Sequence, residues 1–302
     1  MKIFDQPDNF PPVLFHIWGF LKSFGSKSED EIVAGVAFPS ENSIQDSTSE
    51  TVASSMKSPE ASVRSVLKVG LFLHTFVKSD NQIELHERFN RDLSHAEFWG
   101  EVRRCVFEHG VQGNEEKKRE SLPVAIAWYL SFPLVDTPRD WDAASRCLEI
   151  DFESPGTGKA NKEWIISNDT QWNPFVRWLI ALGFARELPV GKGAKVEIIP
   201  DISQAISPTI RLHVKDQWQP VSVLIPHLVE DIHSLYGGES WEMLPPIAKE
   251  RSCLLSDVLY VGIQALAHSK VIDLQNVKDS PDRISFSPSG VTLAQMRKAV
   301  KV

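Results

Sequence analysis

Twice, and in a looser form a third time, an amphipathic helix in this chain runs up to a glycine and then into alternating, strand-like residues. Residues 63–71 and 176–184 share one order of apolar positions, and residues 255–263 repeat it. Val63, Val66, Leu67 and Leu71 fall on one helical stripe, as do Val176, Leu179, Ile180 and Phe184. Gly70 and Gly183 stand where a helix needs a left-handed residue to release its last carbonyls. Apolar residues then alternate around a polar tip, Ser79-Asp80-Asn81 in the first copy and Gly191-Lys192-Gly193 in the second, which reads as a β-hairpin. In the third copy the helix extends past Gly262 to about Ser269. Its hairpin is expected to pair residues 271–274 with 283–286.

A helix that ends in a turn and feeds a hairpin is the core of a winged helix-turn-helix module. The fold class expected is mainly α with short β-hairpins (α+β), arranged as tandem winged helix-turn-helix modules. Module 1 spans residues 1–87. It has a Pro11-Pro12 helix start, a Ser28–Glu31 capping box opening a second helix stopped by Pro39, and then the helix at 63–71. The Ser/Glu/Thr-rich stretch 40–58 reads as a mobile loop or a weak helix. Residues 88–120 form a helical connector ending in the solvated charge run 115–120. Module 2 covers 121–200, 201–220 is a linker, and 221–302 is a winged-helix-like module 3 with a tail helix from Val291.

The 302 residues allow two or three domains, and 42% apolar residues with nine tryptophans indicate an ordered core. Cys105, Cys147 and Cys253 lack metal spacing and read as buried free thiols in a reducing cytoplasm. The sequence shows no secretory leader and no apolar run of about 18 residues, so a cytoplasmic protein without membrane contact is expected. The net charge of −8 argues against a general nucleic-acid coat protein, so DNA contact requires a local basic patch.

Catalytic readings fare poorly. Gly156-Thr157-Gly158-Lys159 resembles a phosphate loop, but Glu153 replaces the leading glycine and Ala160 the magnesium-binding Ser/Thr. The nine histidines show no metal spacing and read as partly buried, hydrogen-bonded side chains. Asp136, Asp140, Asp142, Asp151 and Glu153 cluster around Trp141, and helix capping at Asp136 accounts for the first of them. Trp18, Trp128, Trp172 and Trp178 follow helical periods and read as core. No enzyme activity, cofactor, metal or small-molecule substrate is expected.

The outward faces of the presumed recognition helices remain. Module 1 offers Lys57, Arg64, Ser65 and Lys68, with Lys78 on its wing. Module 2 offers Asn173 and Arg177 on the helix, with Arg186, Lys192 and Lys195 on the wing. Arg64 and Arg177 hold the same place in the glycine-based alignment. In a winged module the third helix enters the major groove and the hairpin touches the backbone, so arginine can read guanine and lysines can pair with phosphates. The bland reading is that these cations keep a helix solvated. The third helix carries Asp257 outward, which opposes docking to DNA.

The apolar first helix, the acidic-capped second helix, the Val63-Arg64 helix with its Gly70 turn and wing, and the repeated layout resemble the DpdG-type proteins. These belong to bacterial gene clusters that place 7-deazaguanine bases in DNA and restrict unmodified DNA. The resemblance implies a non-catalytic subunit of the restriction arm, beside helicase- and nuclease-like partners, in phage defence. It carries no residue-level motif. Double-stranded DNA and such proteins are the expected partners. The alternatives are a protein–protein adaptor, for example in an SMC-like or helicase complex, and a transcriptional regulator.

Overall fold

The structure is a computed structural model describing residues 3, 9–37, 58–110, 121–152, 165–190, 196–235, 237–252, 256–276, 280–287 and 289–299. Helices dominate, and short antiparallel strand pairs follow them. The expected features at 38–57, 111–120, 156–159 and 191–195 lie outside the described residues.

The first unit opens with α1 (Pro11–Phe24), whose prolines occupy the first turn, where a missing N–H costs nothing. Leu14, Ile17, Trp18 and Leu21 form its buried stripe. The capping box expected at Ser28 and Glu31 starts α2 (Glu29–Val36). Ser58 caps α3 (Pro59–Phe72), which packs across α1 and α2 and leads into β1 (Phe76–Ser79) and β2 (Gln82–Leu85). Between α1 and α2, Lys27 bridges Ile83 in antiparallel fashion, so β2 lies between Lys27 and β1.

A 3-10 turn (Glu87–Phe89) leads to α4 (His95–His109), opened by a second capping box, Ser94 with Glu97. The middle unit contains α5 (Leu122–Leu130), α6 (Trp141–Phe152), α7 (Asp169–Ala181), β3 (Ala185–Pro189) and β4 (Val196–Pro200). All nine residues of α5 are buried, which makes it a central helix with no solvent face. The cap of α6 is Asp140, whose carboxylate accepts from Ala143 N at 2.8 Å, and not Asp136. Asp136 precedes the helix by a full turn.

The third unit corrects the sequence reading most. Residues 201–220, expected as a linker, contain α8 (Ser203–His213) and β5 (Gln219–Pro220). Then come α9 (Ile225–Asp231), two short helices α10 (Glu239–Glu242) and α11 (Pro246–Arg251), and α12 (Asp257–His268). The strand β6 (Ile272–Gln275) does not pair with residues 283–286. It pairs with β9 (Gln295–Lys298), and β5 lies on the far side of β9. The strands β7 (Ile284–Ser285) and β8 (Thr292–Leu293) pair with each other. The stretch from Val291, expected as a tail helix, is therefore extended. Ala294 and Met296, two apart and both buried, set the inward face of this extended stretch. Units one and three share a strand order, a short segment and two strands with the last in the middle. Among the described residues, however, unit three carries four α-helices between β5 and β6 and inserts the β7–β8 ribbon before β9.

The three hairpin-feeding helices end in the same way. Thr75 N bonds to Gly70 O at 2.8 Å, Phe184 N to Leu179 O at 2.8 Å, and Val271 N to Leu266 O at 2.9 Å. Each bond spans five residues and encloses one left-handed residue: His74 (φ 56°), Gly183 (φ 78°) and Lys270 (φ 57°). Gly183 thus has the expected role and Gly70 does not. Gly70 lies inside α3, where an added Cβ would stand 2.4 Å from the Phe76 ring. It is a close-approach glycine that lets β1 fold back on the helix. Gly262 works alike, letting α12 lie against Ile202 and Ile206 at α8.

Candidate nucleic-acid interface

Aligning the repeats on their left-handed residues shifts the register by four positions. Lys68, Arg177 and Gln264 each precede the turn residue by six, whereas Arg64 corresponds to Asn173 and Tyr260. Arg64 and Arg177 are therefore not equivalent, because the alignment rested on Gly70 and the turn lies at His74.

Arg64 spans two carboxylates on α2, Glu29 and Asp30, each at 2.7 Å. These carboxylates hold its guanidinium above the usual arginine range, Asp30 most and Glu29 next. Ser65 does not face outward: its Oγ is buried without a hydrogen-bond partner. Lys68 on α3 and Lys78 on β1 are exposed and form no ion pair among the described residues. Asn173 is exposed on α7. Arg186 is exposed and reaches Asp201 at 3.4 Å. Lys57, Lys192 and Lys195 lie outside the described residues. In the third unit, the Asp257 carboxylate accepts from the Ser289 hydroxyl at 2.6 Å, so it organises a loop and does not stand free.

Arg177 points elsewhere. Its guanidinium lies 5.4 Å over the Phe10 ring, at the edge of a cleft of about 1240 Å³ between α1, α4, α7, α8 and α9. Trp99, Arg103 and Phe107 of α4 line the same cleft. Arg103 is buried at 7% exposure and donates to Leu182 O at 2.8 Å. Burial pushes its guanidinium down to about 10, with repulsion from Arg104 adding and Asp231 opposing. Sequence reasoning passed over Arg103. The available signal was its position in the i, i+4, i+8 row Trp99–Arg103–Phe107, a cation between two aromatics on a mostly apolar face.

The acidic cluster separates. Asp136, Asp140 and Asp142 are exposed, Glu153 is outside the described residues, and Asp151 is buried in an ion pair with Arg251. Among the described residues no group of three or more His, Cys, Asp or Glu could hold a metal ion. His16 and His74 are exposed and not partly buried as expected, and His213 stacks on His227 at 3.7 Å. Trp18, Trp128, Trp172 and Trp178 are all core residues. Cys105 is buried, and this desolvation pushes its thiol up to about 11, against the pull of Arg88. No helix among the described residues is long and apolar enough to cross a membrane.

The arrangement is that of an α+β protein of repeated helix–hairpin units, with exposed Lys68 and Lys78 on the first and an arginine-containing cleft between α1, α4, α7, α8 and α9. The family model described as DpdG-like matches residues 1–280, and the chain belongs to that family. No curated protein and no solved structure matches it.

Proposed function

We propose that the chain is a non-catalytic subunit of a bacterial DNA-modification and restriction assembly, built of winged-helix units, the first of which contacts double-stranded DNA. Membership of the DpdG-like family supports the DNA-modification setting. The strand order shared by units one and three, with the last strand central, supports the winged-helix reading. The single observation that carries DNA contact is the pair Lys68 and Lys78. Both are exposed, neither is neutralised by a neighbouring carboxylate among the described residues, and they stand on the helix and the hairpin of one unit. A winged unit places the helix in the major groove and the hairpin along the backbone, so two such lysines serve as phosphate contacts.

The second unit is a weaker candidate than its sequence suggests. Arg177 is turned towards Phe10 and Arg186 towards Asp201, which leaves Asn173 as the unpaired outward member of this unit's candidates among the described residues. This unit and the third serve instead to join the subunit to its helicase- or nuclease-like partners.

Duplex retention by the full chain, followed across a salt titration, tests the reading. Affinity should fall steeply with salt, and Lys68→Glu with Lys78→Glu should flatten the slope by about one per lysine. One observation favours a protein adaptor as the second reading. Arg64, Arg88, Arg91, Arg104, Arg139, Arg186, Arg251 and Arg297 are all held in internal ion pairs. An adaptor would show no duplex retention at moderate salt.

A further inference from the structure

Arg103 is out of place by ordinary rules. A buried guanidinium is normally held by a carboxylate, because an uncompensated charge away from water is strongly disfavoured. Arg103 is buried, yet among the described residues no carboxylate comes within ion-pair distance of it. Its one hydrogen-bond partner among the described residues is the carbonyl of Leu182, which uses one of five N–H donors. It lines the cleft, so that cavity is where its unused donors can find an acceptor.

The walls add a second requirement. Trp99 and Phe107 flank Arg103 one helical turn away on either side, and Phe15 of α1 lines the same cleft. Phe15 already packs edge-on to Phe98 at 5.1 Å and stacks on Trp18 at 5.2 Å, which fixes its ring. Trp99 and Phe107 are themselves buried. The half-buried Phe10 and Phe15 rings are therefore the aromatic surface that a flat, conjugated group carrying an anion would meet beside the desolvated cation. The volume of about 1240 Å³ is ample for such a ligand.

Carboxylates also line the cleft, and their disposition matters. Glu101 is engaged by Arg91 at 2.7 Å and Arg104 at 2.9 Å, and Asp231 accepts a hydrogen bond from Thr209. Glu108 is paired with Arg88 at 2.5 Å, and Glu97, Glu187 and Glu230 are exposed, where water and salt screen them. The rim therefore disfavours a polyanion such as duplex DNA without cancelling the attraction of Arg103 for a small anion.

We infer that this cleft binds an anion carried on a planar aromatic group, the chemistry of a nucleoside phosphate, with Arg103 as the phosphate anchor. The ligand is a free nucleotide or the terminal nucleotide of a single strand. The site is separate from the Lys68 and Lys78 face and does not rest on it.

Calorimetric titration of the full chain with guanosine and adenosine monophosphate, inorganic phosphate, and a 5′-phosphorylated DNA tetranucleotide tests this. A monophosphate or the tetranucleotide should bind saturably, with inorganic phosphate at least about tenfold weaker because it lacks the stacked ring. If only the tetranucleotide binds, the ligand is a strand end. Arg103→Met should abolish binding. Since Arg103 also holds the Leu182 carbonyl, Ala181→Glu gives an independent variant that supplies a carboxylate on the cleft wall. It should weaken binding at least about tenfold by competing for the guanidinium while the chain stays folded. Lys68→Glu with Lys78→Glu should leave nucleotide binding unchanged, which separates this site from duplex contact. Equal binding of phosphate and nucleotide would overturn the aromatic half of the inference. Absence of binding by all four probes, or undiminished binding by folded Ala181→Glu, would overturn the whole.

Discussion

Arg251 of α11 holds Asp151 of α6 through two hydrogen bonds, at 2.9 and 2.8 Å, across a hundred residues of sequence. The Asp151 side chain is wholly buried and also accepts from Trp128 Nε1 at 2.7 Å, while the Arg251 guanidinium lies 3.6 Å over the Phe132 ring. This pair ties the middle unit to the third. It occupies the carboxylate that in the sequence belonged to a candidate catalytic cluster.

Removing either partner should be costly, because the other is left charged and desolvated. Arg251→Ala should lower unfolding stability by about 3–5 kcal/mol, read as a fall in urea midpoint at unchanged m-value. Asp151→Leu combined with Arg251→Met should recover part of that loss, since an apolar pair leaves no orphaned charge. A single variant as stable as wild type would mean that the pair contributes nothing to the junction.

The helix-ending turns give a second, internally controlled series. Gly183→Ala forces a side chain into a left-handed conformation and brings its Cβ within 2.8 Å of Gln204 Cβ, so about 1–3 kcal/mol should be lost. Gly70→Ala should lose a similar amount, about 1–3 kcal/mol, by overpacking against Phe76, although the Gly70 backbone is ordinary. His74→Gly should raise stability by about 0.5–1 kcal/mol, because it relieves the left-handed strain that Gly183 avoids. Thermal melts of the three variants decide this. A neutral Gly70→Ala together with a destabilising His74→Gly would restore the glycine-based register.

Those turns also show what could be read in the sequence. Apolar stripes, proline starts and the Ser28–Glu31 box are local signals, and the first unit follows them closely. Gly70 misled because a glycine near a helix end has two uses, a left-handed turn or a close approach, and only the position of Phe76 distinguishes them. The pairing of β6 with β9 across an inserted β7–β8 ribbon is non-local, and residues 283–286 alternate more clearly than residues 295–298, which carry one apolar side chain, Met296. The site divides along the same line. Lys68 and Lys78 were legible because exposure follows helical and strand period. The ion pairs that occupy Arg64 and Arg186 depend on which elements pack together, as does the cleft that takes in Arg177.

For DNA contact the prediction is asymmetric between neighbouring cations. Lys68→Glu alone should weaken duplex retention at low salt by about tenfold and reduce the salt dependence by about one unit of slope. Arg64→Gln should change retention less, since its guanidinium is already engaged by Glu29 and Asp30. Fluorescence anisotropy with a labelled duplex at several salt concentrations reads both. A larger loss from Arg64→Gln than from Lys68→Glu would place the contact face nearer α2.

Acid sensitivity should arise in part at His109. Burial holds its imidazole below the ordinary value of 6.5, His74 adds repulsion at a ring separation of 4.5 Å, and Glu108 at 3.6 Å opposes both. A histidine whose pKa is lowered on folding favours the native state in its neutral form. Its contribution is complete above the unfolded value and is lost as pH falls from about 6.5 through the folded value, where the unfolded chain binds the extra proton. Melting temperature should therefore decline between pH 7.5 and pH 5 (about the window in which a histidine titrates), and the decline should be shallower in His109→Gln. Carboxylates titrate mainly below this window, so the difference between the two profiles isolates the histidine. Superimposable profiles would show that the His74–His109 contact carries no proton linkage.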